Sequence, residues 1–210
     1  MNFIYRKEQA LTPLQCARFI EAFEKDVEHQ QEGVISKDGL KSTVDKKFKS
    51  STDISINPTF MESPIWKPLL KELLPILLDG LDDYKTQYYV GVGLLDPMWV
   101  STFFNIQRYK PGEGYNVYHC ERASLLHPER QLVWMIYLND VIDKGWTEFF
   151  YQQHFETPKV GKMVIWPSDF THTHRGVASD SEVKYILTGW FEYQTDEQLK
   201  KINERENEEG

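Results

Sequence analysis

From Trp99 onward the chain is cut into short apolar runs, at 100–109, 132–138, 147–151, 163–166 and 184–193, each rich in β-branched and aromatic residues. Turn chemistry such as Lys110-Pro111-Gly112-Glu113-Gly114 separates them. Runs this short and this closely spaced do not make helices. They fit antiparallel strands that close into a barrel or jelly roll, where each strand finds a partner on both sides.

The first hundred residues follow a different period. Thr12-Pro13-Leu14-Gln15 is a capping box with proline at the first helical position, and Cys16, Phe19, Ile20 and Phe23 recur at helical spacing. A helix over 13–30 is predicted. The polar segment 31–58, with Gly33 and Gly39, reads as a long loop or mobile flap with a short strand near 52–56; it could cover a site or be solvated, and solvation is the safer reading. Ser63-Pro64-Ile65-Trp66 opens a second helix, in which Leu69, Leu70, Leu73, Leu74, Leu77 and Leu78 form a buried stripe and Pro75 introduces a bend. At the other end, Thr195-Asp196-Glu197-Gln198 is a second capping box on a short helix carrying Leu199 and Ile202, with a fraying Glu-rich tail. The expected class is α+β, mainly β. One domain is expected over 1–210, with helical support over 1–98, a β core over 99–194 and a helix with its tail over 195–210.

Composition narrows the partners. A length of 210 residues suits one domain with a full core. A formal charge of −8 opposes a nucleic-acid surface, because phosphate binding needs clustered Lys and Arg. The N-terminus lacks an apolar leader and no stretch has the length of a membrane span, so a cytoplasmic protein that engages neither membrane nor nucleic acid is expected. Cys16 and Cys120 suggest no disulfide framework.

Chemistry concentrates at three places: Tyr118-His119-Cys120-Glu121-Arg122, Thr173-His174-Arg175-Gly176, and Lys184 ten residues beyond His174. In an extended strand His119 and Glu121 share one face and Cys120 takes the other, so two metal-ligand candidates converge without special geometry. Two imidazoles and one carboxylate leave three positions free on six-coordinate iron(II), the ligand set of non-haem oxygenases. His172, two residues from His174, would share its strand face, and spacing by itself leaves both open; the ten-residue interval to Lys184 favours His174. His29, His127 and His154 have no partner at useful spacing, and Trp134, Trp166, Phe149 and Phe150 read as core.

These residues resemble the iron(II)- and 2-oxoglutarate-dependent oxygenases, in particular their prolyl 4-hydroxylase-like branch. The resemblance covers about 103–191. Tyr109, Gly112, Tyr115 and His119 follow the family's Tyr, Gly, Tyr, His-X-Asp order. Arg130 precedes Tyr137-Leu138-Asn139 by seven residues, and Thr147 follows Tyr137 by ten. Pro158-Lys159-Val160-Gly161-Lys162-Met163-Val164-Ile165-Trp166-Pro167 leads to His174-Arg175-Gly176, Lys184 and Thr188-Gly189-Trp190-Phe191.

The resemblance implies a double-stranded β-helix (jelly roll). It implies iron(II) bound by His119, Glu121 and His174, and 2-oxoglutarate held by Lys184 with Tyr109 and Thr147 as hydrogen-bond donors. Dioxygen would be the oxidant, with ascorbate a candidate reductant. Tyr115, Arg130 and Trp190 match positions lining a peptide groove, which implies a protein or peptide substrate containing proline. The implied reaction is dioxygenase hydroxylation of an unactivated C–H bond, with succinate and CO2 as co-products. Two residues depart from the pattern: Glu121 stands where the family has Asp, and Lys144 replaces the first of two glycines before Thr147. A carboxylate at 121 opposes a halogenase, and Lys184 in place of arginine opposes nucleic-acid dealkylation. An oxygenase acting on a free amino acid or other small molecule, and an inactive barrel serving as a binding or sensing module, remain as alternatives.

Overall fold

The computed structural model describes residues 1–36, 42–125 and 127–194. The strands are β1 (Tyr5–Lys7), β2 (Gln31–Glu32), β3 (Ile35–Ser36), β4 (Ser42–Thr43), β5 (Thr52–Ile56), β6 (Met98–Val100), β7 (Phe104–Tyr109), β8 (Tyr115–His119), β9 (Arg130–Tyr137), β10 (Thr147–Phe149), β11 (His154–Glu156), β12 (Met163–Pro167), β13 (His174–Gly176) and β14 (Lys184–Tyr193). The helices are α1 (Pro13–Lys25), α2 (Lys67–Gln87) and the single turn α3 (Tyr89–Val92). The helix expected beyond Thr195 lies outside the described residues.

One antiparallel sheet runs β1-β12-β9-β14-β7-β5-β2, with β6 also paired to β14. A second runs β11-β10-β13-β8, and β3 and β4 form a separate hairpin. The two larger sheets face each other as a double-stranded β-helix. Strand β9 shows why its sequence is apolar throughout rather than alternating. Leu132, Trp134 and Ile136 pack with the helices, whereas Val133, Met135 and Tyr137 turn inward and pack with Phe149 and Trp166. A strand covered on both faces needs hydrophobic residues at every position.

Strand β14 uses the same alternation for a different purpose. Leu187 and Phe191 join the helix-side core, while Lys184, Ile186, Thr188 and Trp190 point into a cavity between the sheets. Its register sets Lys184 against Tyr109 on β7 and Trp190 against Val133 on β9.

Helix α1 begins as its capping box requires, with Thr12 and Gln15 bonding reciprocally, but it stops at Lys25 rather than near residue 30. Asp26 leaves helical geometry, with ψ at 61°. Its carboxylate accepts from the Trp66 indole at 2.7 Å and pairs with His29 Nδ1 at 2.6 Å, so a tertiary partner forty residues away ends the helix. Helix α2 starts at Lys67 and contains Pro75 without ending there. Leu69, Leu70, Leu73 and Leu77 are buried as expected; Leu74 is 40% exposed and Leu78 only partly covered. At Gly80 the helix lies so close to the sheet that a Cβ would meet Met163 Sδ at 2.6 Å. No helix among the described residues is long and apolar enough to cross a membrane.

The run expected at 100–109 is two strands. Between them the Ser101 N–H donates to Trp190 O and its hydroxyl to Phe103 O, which turns the backbone out of register. The turn before β10 keeps a glycine-like shape without its first glycine: Lys144 has φ +60° and Gly145 φ +72°. The left-handed region is strained for a side-chain-bearing residue. Lys144→Gly is therefore expected to raise Tm by roughly 2 °C, a thermal melt being the check, even though the exposed contact to Asp180 is lost.

Candidate active site

Strands β8 and β13 pair so that His119 and His174 stand directly opposite, their ring centroids 4.5 Å apart. Directly paired positions on antiparallel strands bring side chains close enough to share a ligand. Glu121 reaches the same point from outside the strand, since β8 ends at His119. The N–H groups of Glu121 and Arg122 both donate to Ser168 O at 3.0 Å, and this anchor rather than strand alternation aims the carboxylate. Sequence reasoning missed Ser168 because nothing local marks it.

The His119, Glu121 and His174 donor atoms all lie within 4.8 Å of one another. His119 Nδ1 lies 3.0 Å from Val117 O, and His174 Nδ1 lies 2.9 Å from His172 O. A carbonyl only accepts, so each Nδ1 carries the proton, and in the neutral ring Nε2 is left as a bare lone pair. Burial and the neighbouring His119 push His174 down to about 3, so its ring is neutral at physiological pH. Burial pushes the Glu121 carboxyl up, but His119, His174 and Arg130 outweigh it and hold it at about 2. Glu121 Oε1 faces the two Nε2 atoms at 3.4 and 3.8 Å. Three convergent electron-pair donors repel one another unless a cation lies between them. Two nitrogens and a hard anionic oxygen suit iron(II).

His172 is not part of this cluster. It falls in a 3₁₀ turn, Phe170–His172, rather than on β13, and its Nε2 is taken up by Asn2 O at 2.8 Å. His154, read as partnerless, contacts buried Glu156 and Arg6.

Tyr115 stacks on the His119 ring at 3.7 Å. These residues open on a cavity of about 600 Å³ that also reaches Tyr109, Thr147 and Lys184. Lys184 is 4% exposed, and its Nζ donates to Gly145 O at 2.9 Å while sitting 4.9 Å from the centre of the Tyr109 ring. Among the described residues no carboxylate pairs with it, and burial depresses its pKa to about 8. A buried ammonium with one neutral partner is a site for an anion. A dicarboxylate with one end at the three donors and the other at Lys184 fits this arrangement.

Tyr109 and Thr147 line the same cavity, but their hydroxyls already have partners. Tyr109 Oη donates to Gln107 Oε1 at 2.7 Å. Thr147 Oγ1 lies 2.8 Å from Tyr137 Oη, whose own proton goes to Glu156 O. To donate to a bound carboxylate each would have to turn from its present partner.

Also lining the cavity, the Arg130 guanidinium lies over the Trp190 ring, 3.4 Å from its centroid. Arg130 also approaches Glu121 at 3.8 Å and Glu192 at 3.6 Å, while Trp190 Nε1 donates to Glu121 Oε2 at 3.1 Å. The expected groove residues thus touch the expected metal ligand. A further pair was missed. Lys49 and Asp53, at most 5% exposed and 2.6 Å apart, line the cavity from the segment 31–58, for which solvation is the safer reading and covering a site the other. An aspartate inside the apolar strand 52–56 was the available sign.

Residues 104–192 match the family model of the 2OG-Fe(II) oxygenase superfamily. The match spans 89 of the 210 residues, and over it the chain is similar to that superfamily; the fold is similar to that of solved prolyl hydroxylases. The viral collagen prolyl hydroxylase vCPH from Paramecium Bursaria Chlorella virus-1, solved with 2OG, superposes with a TM-score of 0.65 at 17% identity, over 92% of this chain and 97% of that one. A Pseudomonas putida prolyl-4-hydroxylase superposes at 0.64 and 18% identity, over 93% and 95%. A Trichoplax adhaerens prolyl hydroxylase in complex with a hypoxia inducible factor peptide fragment superposes at 0.71 and 14% identity, over 91% and 84%. At these identities the likeness is one of fold. Comparison with curated proteins returns no match.

Proposed function

We propose that the protein is a 2-oxoglutarate- and iron(II)-dependent dioxygenase that hydroxylates an unactivated C–H bond, with peptidyl proline as the substrate and succinate and CO2 as co-products. One observation carries the reading: three convergent lone-pair donors and a buried ammonium with no carboxylate partner among the described residues share one cavity.

His119, Glu121 and His174 would hold the metal, and Lys184 would take the distal carboxylate of 2-oxoglutarate. When bound, iron and 2-oxoglutarate supply the oxidising power that no side chain has. The chain contributes position and exclusion. The carbonyls of Val117 and His172 fix the imidazole tautomers, and Ser168 O fixes the backbone of Glu121. Val133, Met135, Trp166 and Ile186 line the cavity with apolar surface. Water kept from such a wall cannot quench a reactive oxidant. Tyr115, Arg130 and Trp190 line the same cavity, and substrate would lie against them. Support for a peptide comes from the structural neighbours, all three named as prolyl hydroxylases and one of them solved with a peptide fragment.

The test is succinate release with iron(II), 2-oxoglutarate and ascorbate, comparing proline-containing peptides with free proline. Peptide-stimulated release with a gain of one oxygen on proline is the expected result. Equal stimulation by free proline would move the reading to a small-molecule oxygenase. Absence of turnover in protein that binds both cofactors would make it a binding module.

A further inference from the structure

We infer that Trp190 and Arg130 form a clamp that gives the two oxygens of Glu121 separate tasks, so that Trp190 is a positioning residue for the metal as well as a wall of the groove. The inference rests on the iron site proposed above. Glu121 Oε1 faces the Nε2 atoms of His119 and His174, at 3.4 and 3.8 Å. Oε2 faces the other way: it accepts from Trp190 Nε1 at 3.1 Å and lies 3.8 Å from Arg130 Nη1. Within one carboxylate, one oxygen is directed at the metal position and the other is held by protein.

The clamp is itself braced. Arg130 lies over the indole, its Cζ 3.4 Å from the ring centroid, and its Nε is 3.6 Å from Glu192 Oε1. Strand register places these groups together, with Trp190 opposite Val133 and Glu192 opposite Arg130 on β14 and β9. A planar guanidinium stacked on an aromatic face loses little freedom in holding this position, which lysine could not reproduce.

The chemistry explains why a glutamate here needs a clamp. Glu has one more rotatable bond than Asp, and a free carboxylate can bind a cation through both oxygens. Monodentate Glu121 with two imidazoles leaves three of six positions open. Bidentate Glu121 would leave two, which a chelating co-substrate fills alone. Holding Oε2 on the indole N–H keeps the third position open, and the longer side chain is what spans the distance between metal position and indole. Groups that hydrogen-bond a ligating carboxylate typically set metal affinity within a factor of ten to a hundred.

Trp190→Phe keeps an aromatic face for Arg130 and for substrate but removes the indole N–H along with the five-membered ring, so the double variant with Glu121→Asp is what isolates the hydrogen bond. Full-length wild type, Trp190→Phe, Glu121→Asp and the double variant would be titrated with Mn(II), the free ion read by electron paramagnetic resonance, after thermal melts establish that each is folded. Trp190→Phe should weaken Mn(II) binding about tenfold. In the Glu121→Asp background, where the shortened carboxylate has withdrawn from the indole, the same substitution should have no effect. 2-Oxoglutarate binding to the Mn(II)-loaded protein should weaken in Trp190→Phe as well. Unchanged Mn(II) affinity in Trp190→Phe, or equal weakening in both backgrounds, would overturn the clamp and leave Trp190 a wall. Wild type that binds no Mn(II) would remove the metal site itself, a distinct failure.

Discussion

Lys184→Met is expected to make the ligand-free protein more stable and at the same time blind to 2-oxoglutarate. Burial lowers the Lys184 pKa from 10.5 to about 8, so at neutral pH the folded protein holds a charge it has poorly solvated. At about 1.4 kcal/mol per unit this costs on the order of 3 kcal/mol. Methionine matches the lysine stem as far as Cε and removes the charge, at the loss of the bond to Gly145 O, worth about 1 kcal/mol. The net gain, roughly 2 kcal/mol, corresponds to a Tm rise of about 4–8 °C for a chain of this size. The sign also shows in pH dependence. Between about pH 8 and 10.5 the unfolded chain keeps its proton on Lys184 while the folded chain has released it. Wild-type stability attributable to this group therefore rises with pH across that window. The variant should lack that slope. In the other direction, a carboxylate brought to the site would find no cation, and 2-oxoglutarate affinity should fall about 100-fold or more. Melts with and without 2-oxoglutarate, over pH 7 to 10.5, measure all three effects. Unaltered 2-oxoglutarate dependence would place the distal carboxylate elsewhere.

The chain announces its strands more clearly than its ends and its contacts. The runs at 52–56 and 184–193 coincide with β5 and β14, since each is bounded by polar or turn residues and carries apolar side chains on the face that meets the core. The stop of α1 at Lys25 was not legible, because it depends on Trp66 reaching Asp26 across forty residues. The short strands β1 and β11 gave no sign, three residues being too few to show a period. At the site, His119, Glu121, His174 and Lys184 were marked by residue type and spacing, and the structure brings them to one cavity. How they are held was hidden. The anchor at Ser168 O, the indole bond from Trp190 to Glu121 and the partners of Tyr109 and Thr147 join strands far apart in sequence, where neither period nor motif reports.

The two neighbouring histidines, which spacing left open, should separate by opposite losses. His174 presents Nε2 to Glu121 and lies among the rings of Trp166 and Phe149, with Nδ1 making the ring's only hydrogen bond among the described residues. His174→Ala removes one of three donors. Metal affinity should fall by more than the roughly 100-fold upper range of outer contacts, taking metal-dependent turnover with it. Folding should suffer little, since the ring contributes packing but few bonds. His172 is the converse. Its Nε2 holds Asn2 O, tying the N-terminus to the turn before β13, and Thr171 Oγ1 sits 2.9 Å from its Nδ1. His172→Ala leaves a carbonyl without its partner, and about 1–3 kcal/mol of stability should be lost. Metal affinity should stay near wild type, because the His172 carbonyl that orients His174 belongs to the backbone and survives the substitution. Mn(II) titration and thermal melts of both variants read the two losses side by side. Metal binding that fails in His172→Ala and survives in His174→Ala would move the ligand assignment from β13 to the preceding turn and undo the cluster.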